Sequence, residues 1–343
     1  MRNQKIIRTH LSLTCLHSLK VSNISTVKPQ IIDCTIRDGG LVNLWNFSLE
    51  FVNKLYNALN EAGVEYMEIG YKNAKDLVNH DDAGPWRFCE ESIIRSAVPT
   101  KKETKLSVMV DIGRFRLGDF LKQKESHIDM VRVACYESQM KEAIGAVNEF
   151  HKLGYETCLN IMAISTTNLS HLKDELNQIN ESYVDTVYIV DSFGSLYMDD
   201  ISLISSVYQE YLPTKQIGIH AHNNLQLAFA NTITGHQSGC SLLDSTVNGM
   251  GRAAGNCPTE LLIGYLKPDY KLAPIFKAIE ELLIPLKETE EWGYQVPYAI
   301  SGQLNEHPRE AITLRNSEKK DRYVSFYEKR TASNKIECHA VNS

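Results

Sequence analysis

Eight short apolar runs alternate with amphipathic helical segments from residue 31 onward, and several of those runs stop abruptly at charged residues or histidines. No G-x-G-x-x-G follows the first run. Together these observations predict an α/β fold, a TIM (β/α)8 barrel, and weigh against an open doubly wound sheet with a dinucleotide site. Strands are expected at 31–36, 66–69, 106–110, 130–134, 158–163, 186–190, 217–219 and 242–247, with helices at 49–62, 139–153, 169–182, 201–211, 225–238 and 259–266. The catalytic barrel is placed at 31–266, between a basic N-terminal extension, 1–30, and a helical C-terminal extension, 267–343.

The extension 1–30 carries Arg2, Lys5, Arg8, Lys20 and Lys28, many Ser and Thr, and no acidic residue. It reads as a poorly ordered basic extension, with an organellar transit peptide as the alternative. The chain of 343 residues has a net charge of -6, against a nucleic-acid partner, and no run approaches the length of a membrane span. Its eight cysteines are scattered without a C-x-x-C pair, the pattern of reduced thiols in a cytoplasmic protein.

The first strand reads I-I-D-C-T-I-R-D-G-G and surfaces into Arg37, Asp38 and two glycines. An ionised Asp beside a permanently charged Arg suits a site that holds a cation and stabilises a developing oxyanion. A buried structural salt bridge is the other reading. After the second strand, the long stretch 71–104 holds His80, Asp81, Asp82 and Trp86 and is expected to be a loop over the barrel mouth. Strand seven ends in I-G-I-H-A-H-N-N, where His220 and His222 stand two apart and so share one face. One carboxylate and two imidazoles form a facial set with open positions for substrate oxygens. After strand eight comes N-G-M-G-R-A-A-G-N-C-P-T-E, whose glycines permit tight turns and whose Asn256 offers a neutral oxygen to the same ion. Such a loop taken alone only turns the chain.

These motifs resemble the metal-dependent carbon–carbon lyases and synthases of the DRE-TIM metallolyase superfamily (HMGL-like), and the resemblance is nearest to 4-hydroxy-2-oxovalerate aldolase-like proteins. T-I-R-D-G at 35–39, V-D-S-F-G at 190–194, H-A-H-N at 220–223 and G-M-G-R-A-A-G-N at 249–256 match in order. The resemblance implies a divalent cation, Mn2+ or Mg2+, held by Asp38, His220 and His222, with Asn256 a ligand in some branches. Arg37 is implied to steady an enolate oxygen and Asp191 to support the site from strand six. The implied substrates are a 2-oxo acid with an aldehyde, in an aldol-type cleavage or condensation. Acyl-CoA condensation of the isopropylmalate or homocitrate type is the runner-up, and a catalytically inactive barrel acting as a binding subunit is the alternative from another class.

The sequence departs from the aldolase pattern at Leu41, where a His is usual close behind R-D-G. Tyr71 and His80 are candidates for the missing base, and Glu68 reaches the cation through water or forms a buried ion pair. In the C-terminal extension, 275–286 has a helical pattern and 292–311 is dense in aromatic and polar groups. The extension is expected to pack on the barrel or on a second subunit of a homodimer or higher oligomer. Tyr294, Tyr298, His307 and Arg309 are its candidates to close the pocket, and the segment after Lys329 is expected to be loose.

Overall fold

The computed structural model describes residues 28–78, 82–266 and 268–340. Residues 1–27, with the transit-peptide alternative, and His80 lie outside the described residues. Eight strands close into a parallel barrel in chain order: β1 Gln30–Asp33, β2 Tyr66–Tyr71, β3 Lys105–Asp111, β4 Ile128–Cys135, β5 Glu156–Ile161, β6 Thr186–Asp191, β7 Gln216–Ala221 and β8 Leu242–Ser245. Closure is made by β1 and β8, with Ile32 opposite Asp244 and Asp33 opposite Ser245. The strands are near-continuous apolar runs because both faces of each are covered, by outer helices and by the barrel interior.

The helices follow from amphipathic periodicity and local caps. In Leu49–Ala62, Val52, Leu55, Tyr56 and Leu59 fall on the buried face, Ser48 accepts the Phe51 N–H (3.1 Å), and Gly63 ends the helix at φ 87°. Inside the barrel the filling is partly polar. Gly218 on β7 leaves room for the Tyr188 ring, since a Cβ there would stand 2.5 Å from it. That ring in turn lies 4.3 Å from the Arg132 guanidinium.

Three expectations need correction. The first strand does not run to residue 36: it ends at Asp33, and Arg37 and Asp38 lie in the first turn of a helix, Thr35–Asn43. The Asp33 carboxylate accepts the Thr35 N–H (3.1 Å) and the Thr259 hydroxyl (2.8 Å), which turns the chain out of the barrel one residue later. Two adjacent glycines argue against a helix by about 0.5–1 kcal/mol each. They are kept by close packing: a Cβ at Gly39 would stand 2.8 Å from Met250 Sδ, and one at Gly40 would run into the Trp45 indole. The stretch 71–104, expected as a loop, carries regular structure among its described residues. It folds into turns at Lys75–Leu77 and Pro85–Arg87 and a helix, Glu91–Ala97, pinned by the fully buried Trp86, which donates to the Phe47 carbonyl (2.9 Å). Residues 330–340, expected to be loose, continue the helix Tyr323–Ala340, where Arg330 pairs with Glu306 (2.7 Å).

The C-terminal extension packs on its own barrel. Helices Val296–Gln303 and Arg309–Arg315 join Tyr298 and Ala311 to Ala254 of the loop after β8, in a small cluster of their own. Trp292 donates to the Asn248 carbonyl (3.1 Å) of that same loop. Among the described residues no helix is long and apolar enough to cross a membrane.

Candidate metal centre

Asp38, His220 and His222 converge at the C-terminal mouth of the barrel, each buried, with one potential ligand atom from each lying within 4.8 Å of the others. Asp38 arrives from the helix after β1, whose Thr35 hydroxyl accepts the Val247 N–H (2.8 Å) and so ties that helix to the end of β8. His220 lies on β7 and His222 just past its end. Their rings meet edge-to-face with centroids 5.0 Å apart.

Behind this triad lies a closed ring of buried charges. Arg37 pairs with Asp38 (2.8 Å) and Glu68 (2.7 Å), and Glu68 also pairs with Arg132 (3.1 Å). Arg132 pairs with Asp244 (2.6 Å), and Asp244 with His220 Nδ1 (2.8 Å). His220 Nε2 then returns to Asp38 at 3.2 Å. Glu68 therefore takes the ion-pair reading. Arg132 and Asp244 carry no sequence signal, because a single charge inside an apolar strand is visible only as an interruption; V-R-V and L-D-S were the only traces.

The ring also fixes which atoms face the site. In its neutral form, with Nδ1–H given to Asp244, His220 presents the Nε2 lone pair to the Asp38 carboxylate, an acceptor facing an acceptor. That Nε2 has no hydrogen-bond partner, nor has the buried Oδ1 of Asn256. The Asn256 amide is turned by donating its Nδ2–H to the Met250 carbonyl (3.2 Å), and its backbone bridges to His222. Burial, helped by His220, Arg252 and Arg37, holds the His222 imidazole well below its ordinary range and so neutral. Burial disfavours the Asp38 carboxylate, yet the Arg37 guanidinium foremost outweighs it and holds its pKa well below the usual value.

Three carboxylates against two guanidiniums leave the ring one negative charge when His220 is neutral. A cation among these acceptors offsets that charge and satisfies the orphaned atoms, so the donor set fits a divalent metal of the oxygen- and nitrogen-preferring kind. Cys34, His220 and Asp244 form a second cluster of possible ligands. It is the poorer one, because burial pushes the Cys34 thiol well up and His220 Nδ1 is already engaged. Cys34, Cys89, Cys135, Cys158, Cys240 and Cys257 are free and buried.

Gly251 tests the fourth ligand. A Cβ there would run into the Asn256 amide and stand 3.2 Å from Asp38 Oδ1. Gly251→Ala is expected to weaken binding of Mn2+ by about 10-fold or more, read by titration into chelator-stripped protein, with the far-UV circular dichroism unchanged.

The remaining sequence candidates fall in different places. Arg37 spends Nε and Nη1 on Glu68 and Asp38, while its Nη2 makes no hydrogen bond to the described residues. Tyr71 ends β2, stands edge-on to Trp45 at 5.6 Å, and is raised by burial and by Asp111, so it keeps its proton and is no base at neutral pH. The Asp191 carboxylate accepts the N–H groups of Ser195 (3.0 Å) and Leu196 (3.3 Å) and so positions the loop after β6. Leu41, one helical turn beyond Arg37, packs against the main core. Tyr294 is exposed and Tyr298 is buried in the extension, whereas His307 reaches the mouth and contacts Arg252 (3.2 Å).

A profile described as HMGL-like matches residues 28–269. The chain belongs to the HMGL-like family. It is 29% identical to the 4-hydroxy-2-oxovalerate aldolase of Thermus thermophilus over 77% of this chain and 78% of that protein. To the enzyme of the same name from Thermomicrobium roseum it is 30% identical over 75% of this chain and 73% of that one. Among solved structures, the N-terminal domain of a candidate aldolase from Bacteroides vulgatus superposes with a TM-score of 0.71 at 27% identity, covering 84% of this chain and 97% of that one. The HMGL-like match covers the whole barrel and stops short of the connection between helices Val296–Gln303 and Arg309–Arg315 that carries His307.

Proposed function

We propose that this chain is a divalent-metal-dependent aldolase that makes or breaks a carbon–carbon bond on a 2-oxo acid of the pyruvate type, with an aldehyde as the other substrate. The observation that carries the reading is the convergence of Asp38, His220 and His222 with two orphaned buried acceptors beside a guanidinium that has one free edge. The family membership and the aldolase names of its relatives support it. Asp38, His220 and His222 would hold the ion, Mn2+ or Mg2+, with Asn256 as the neutral oxygen ligand. When bound, such a cation supplies Lewis-acid polarisation of a substrate oxygen.

The protein's own groups supply the rest. In condensation the methyl carbon of the 2-oxo acid loses a proton and bonds to the aldehyde carbon, while the aldehyde oxygen gains a proton. Arg37 directs its free Nη2–H at the keto oxygen where negative charge develops, from a guanidinium locked by Glu68 and Asp38, so no reorganisation is needed as the charge appears. Tyr71, electrostatically coupled to Arg37 and Asp38, acts as a proton donor and not as a base. Asp244 holds His220 in the one tautomer that leaves Nε2 open. Burial of the whole ring keeps water away and strengthens each of these contacts.

The reading is tested by reloading chelator-stripped protein with Mn2+ or Mg2+ and following deuterium from solvent into the methyl group of pyruvate. Stoichiometric metal and metal-dependent exchange are the expected results. Metal without exchange would overturn the pyruvate-type substrate, and no metal would overturn the enzyme reading.

A further inference from the structure

We infer that Arg252 and His307 form an anion-binding subsite that selects an aldehyde bearing a carboxylate or phosphate. This rests on the aldolase reading and deepens it. Arg252 lies in the loop after β8, and its backbone N–H points at Asp38 Oδ1 (3.4 Å), which places the residue at the rim of the metal centre. Its guanidinium is close enough to His222 to act on that ring electrostatically. Yet among the described residues no carboxylate pairs with it. Nη2 reaches only the Ser192 carbonyl (3.4 Å), and Nε is buried without a partner. A half-buried guanidinium without a counter-ion is costly to keep unless a ligand supplies one.

His307 adds a second donor beside Arg252 Nη1. Its Nδ1 accepts the Arg309 N–H (3.1 Å), so the single proton of the neutral ring sits on Nε2. That Nε2–H faces Arg252 Nη1 at 3.2 Å, a donor against a donor. The Phe193 ring, edge-on at 5.8 Å, limits the imidazole's freedom to turn away. Nη1 of Arg252 and Nε2 of His307 thus offer two N–H groups side by side, and an oxyanion beside them accepts from both at once. The 2-oxo acid already has the metal centre and Arg37 for its own oxygens. The additional charge therefore belongs to the aldehyde half.

Arg252 comes from the barrel and His307 from the helical extension, so the subsite also explains what the extension does at the mouth. It completes recognition of the second substrate rather than supplying the ring of metal ligands. Leu41 is consistent with this, since the position that would carry a base in related aldolases here only packs against the core.

The test uses the metal-reloaded full chain with pyruvate and paired aldehydes: butyraldehyde against succinic semialdehyde, and glyceraldehyde against glyceraldehyde 3-phosphate. At least one anionic aldehyde is expected to exceed its neutral counterpart by about tenfold or more in kcat/KM. The two pairs tell carboxylate from phosphate. In Arg252→Met that ratio should collapse towards one, and in His307→Gln, which leaves the guanidinium in place, it should fall with KM rising more than kcat drops. Calorimetric titration of succinate and of inorganic phosphate reads the same site without turnover, and binding should be lost in Arg252→Met. Equal use of neutral and anionic aldehydes, or a ratio unmoved in both variants, overturns the subsite while leaving the aldolase reading intact. Failure of pyruvate exchange overturns the aldolase reading, and the titrations then still decide whether the anion site exists.

Discussion

His220→Ala is expected to eliminate stoichiometric binding of a divalent cation and with it all metal-dependent turnover. The ring Nε2 is the only nitrogen of His220 free to face the site, because Nδ1 is committed to Asp244 at 2.8 Å. Alanine removes that lone pair, and nothing in the closed ring can swing in to replace it, since Glu68 and Asp244 are each held by Arg132. Asp244→Asn is the informative contrast. It keeps the imidazole but weakens the group that sets its tautomer, so metal affinity should fall by roughly 10–100-fold rather than vanish. Metal content by atomic emission, with competitive chelator titration, separates the two outcomes. A His220→Ala protein that still binds one ion tightly would mean that the ion sits elsewhere, with Cys34 and Asp244 as the first place to look.

How much of this was legible in the sequence depends on whether a residue's role is local or distributed. The barrel was legible because each parallel strand is apolar on both faces and each outer helix repeats at its own period, signals contained within a dozen residues. Asp38, His220 and His222 were legible because a carboxylate and an H-x-H pair at the ends of apolar runs have few structural uses. The helix Thr35–Asn43 was hidden, since its adjacent glycines are poor helix formers and are retained only for Met250 and Trp45, which approach from residues distant or later in the chain. Arg132 and Asp244 were hidden for a related reason. A lone Arg in β4 acquires meaning only when the barrel closes and sets it between Glu68 of β2 and Asp244 of β8. His307 was one of four candidates in the extension, and only the contact with Arg252 distinguishes it from Tyr294, Tyr298 and Arg309.

Arg132→Met is expected to be the most destabilising single change in the barrel interior, by about 3–5 kcal/mol in urea unfolding. The side chain is fully buried, and methionine matches much of its length. What is lost is the positive charge that lies between the carboxylates of Glu68 and Asp244, leaving two acidic groups in the core with only Arg37 and His220 beside them. The pH dependence should change as well. Burial disfavours the Asp244 carboxylate, but Arg132 and His220 outweigh it and bring its pKa down to about 2. A carboxyl held below its ordinary value of about 3.9 contributes stability above that pH and loses it as pH falls towards the folded value. In the wild type that contribution disappears between roughly pH 4 and 2. Without Arg132 the carboxyl moves up and acid unfolding should begin at higher pH. Combining Arg132→Met with Glu68→Gln and Asp244→Asn removes the stranded charges and should recover part of the lost stability, although not the metal affinity. If the triple variant is no more stable than Arg132→Met, the loss comes instead from the packing of the guanidinium on Tyr188, 4.3 Å away, and the ring serves catalysis by orienting His220 without being a principal support of the fold.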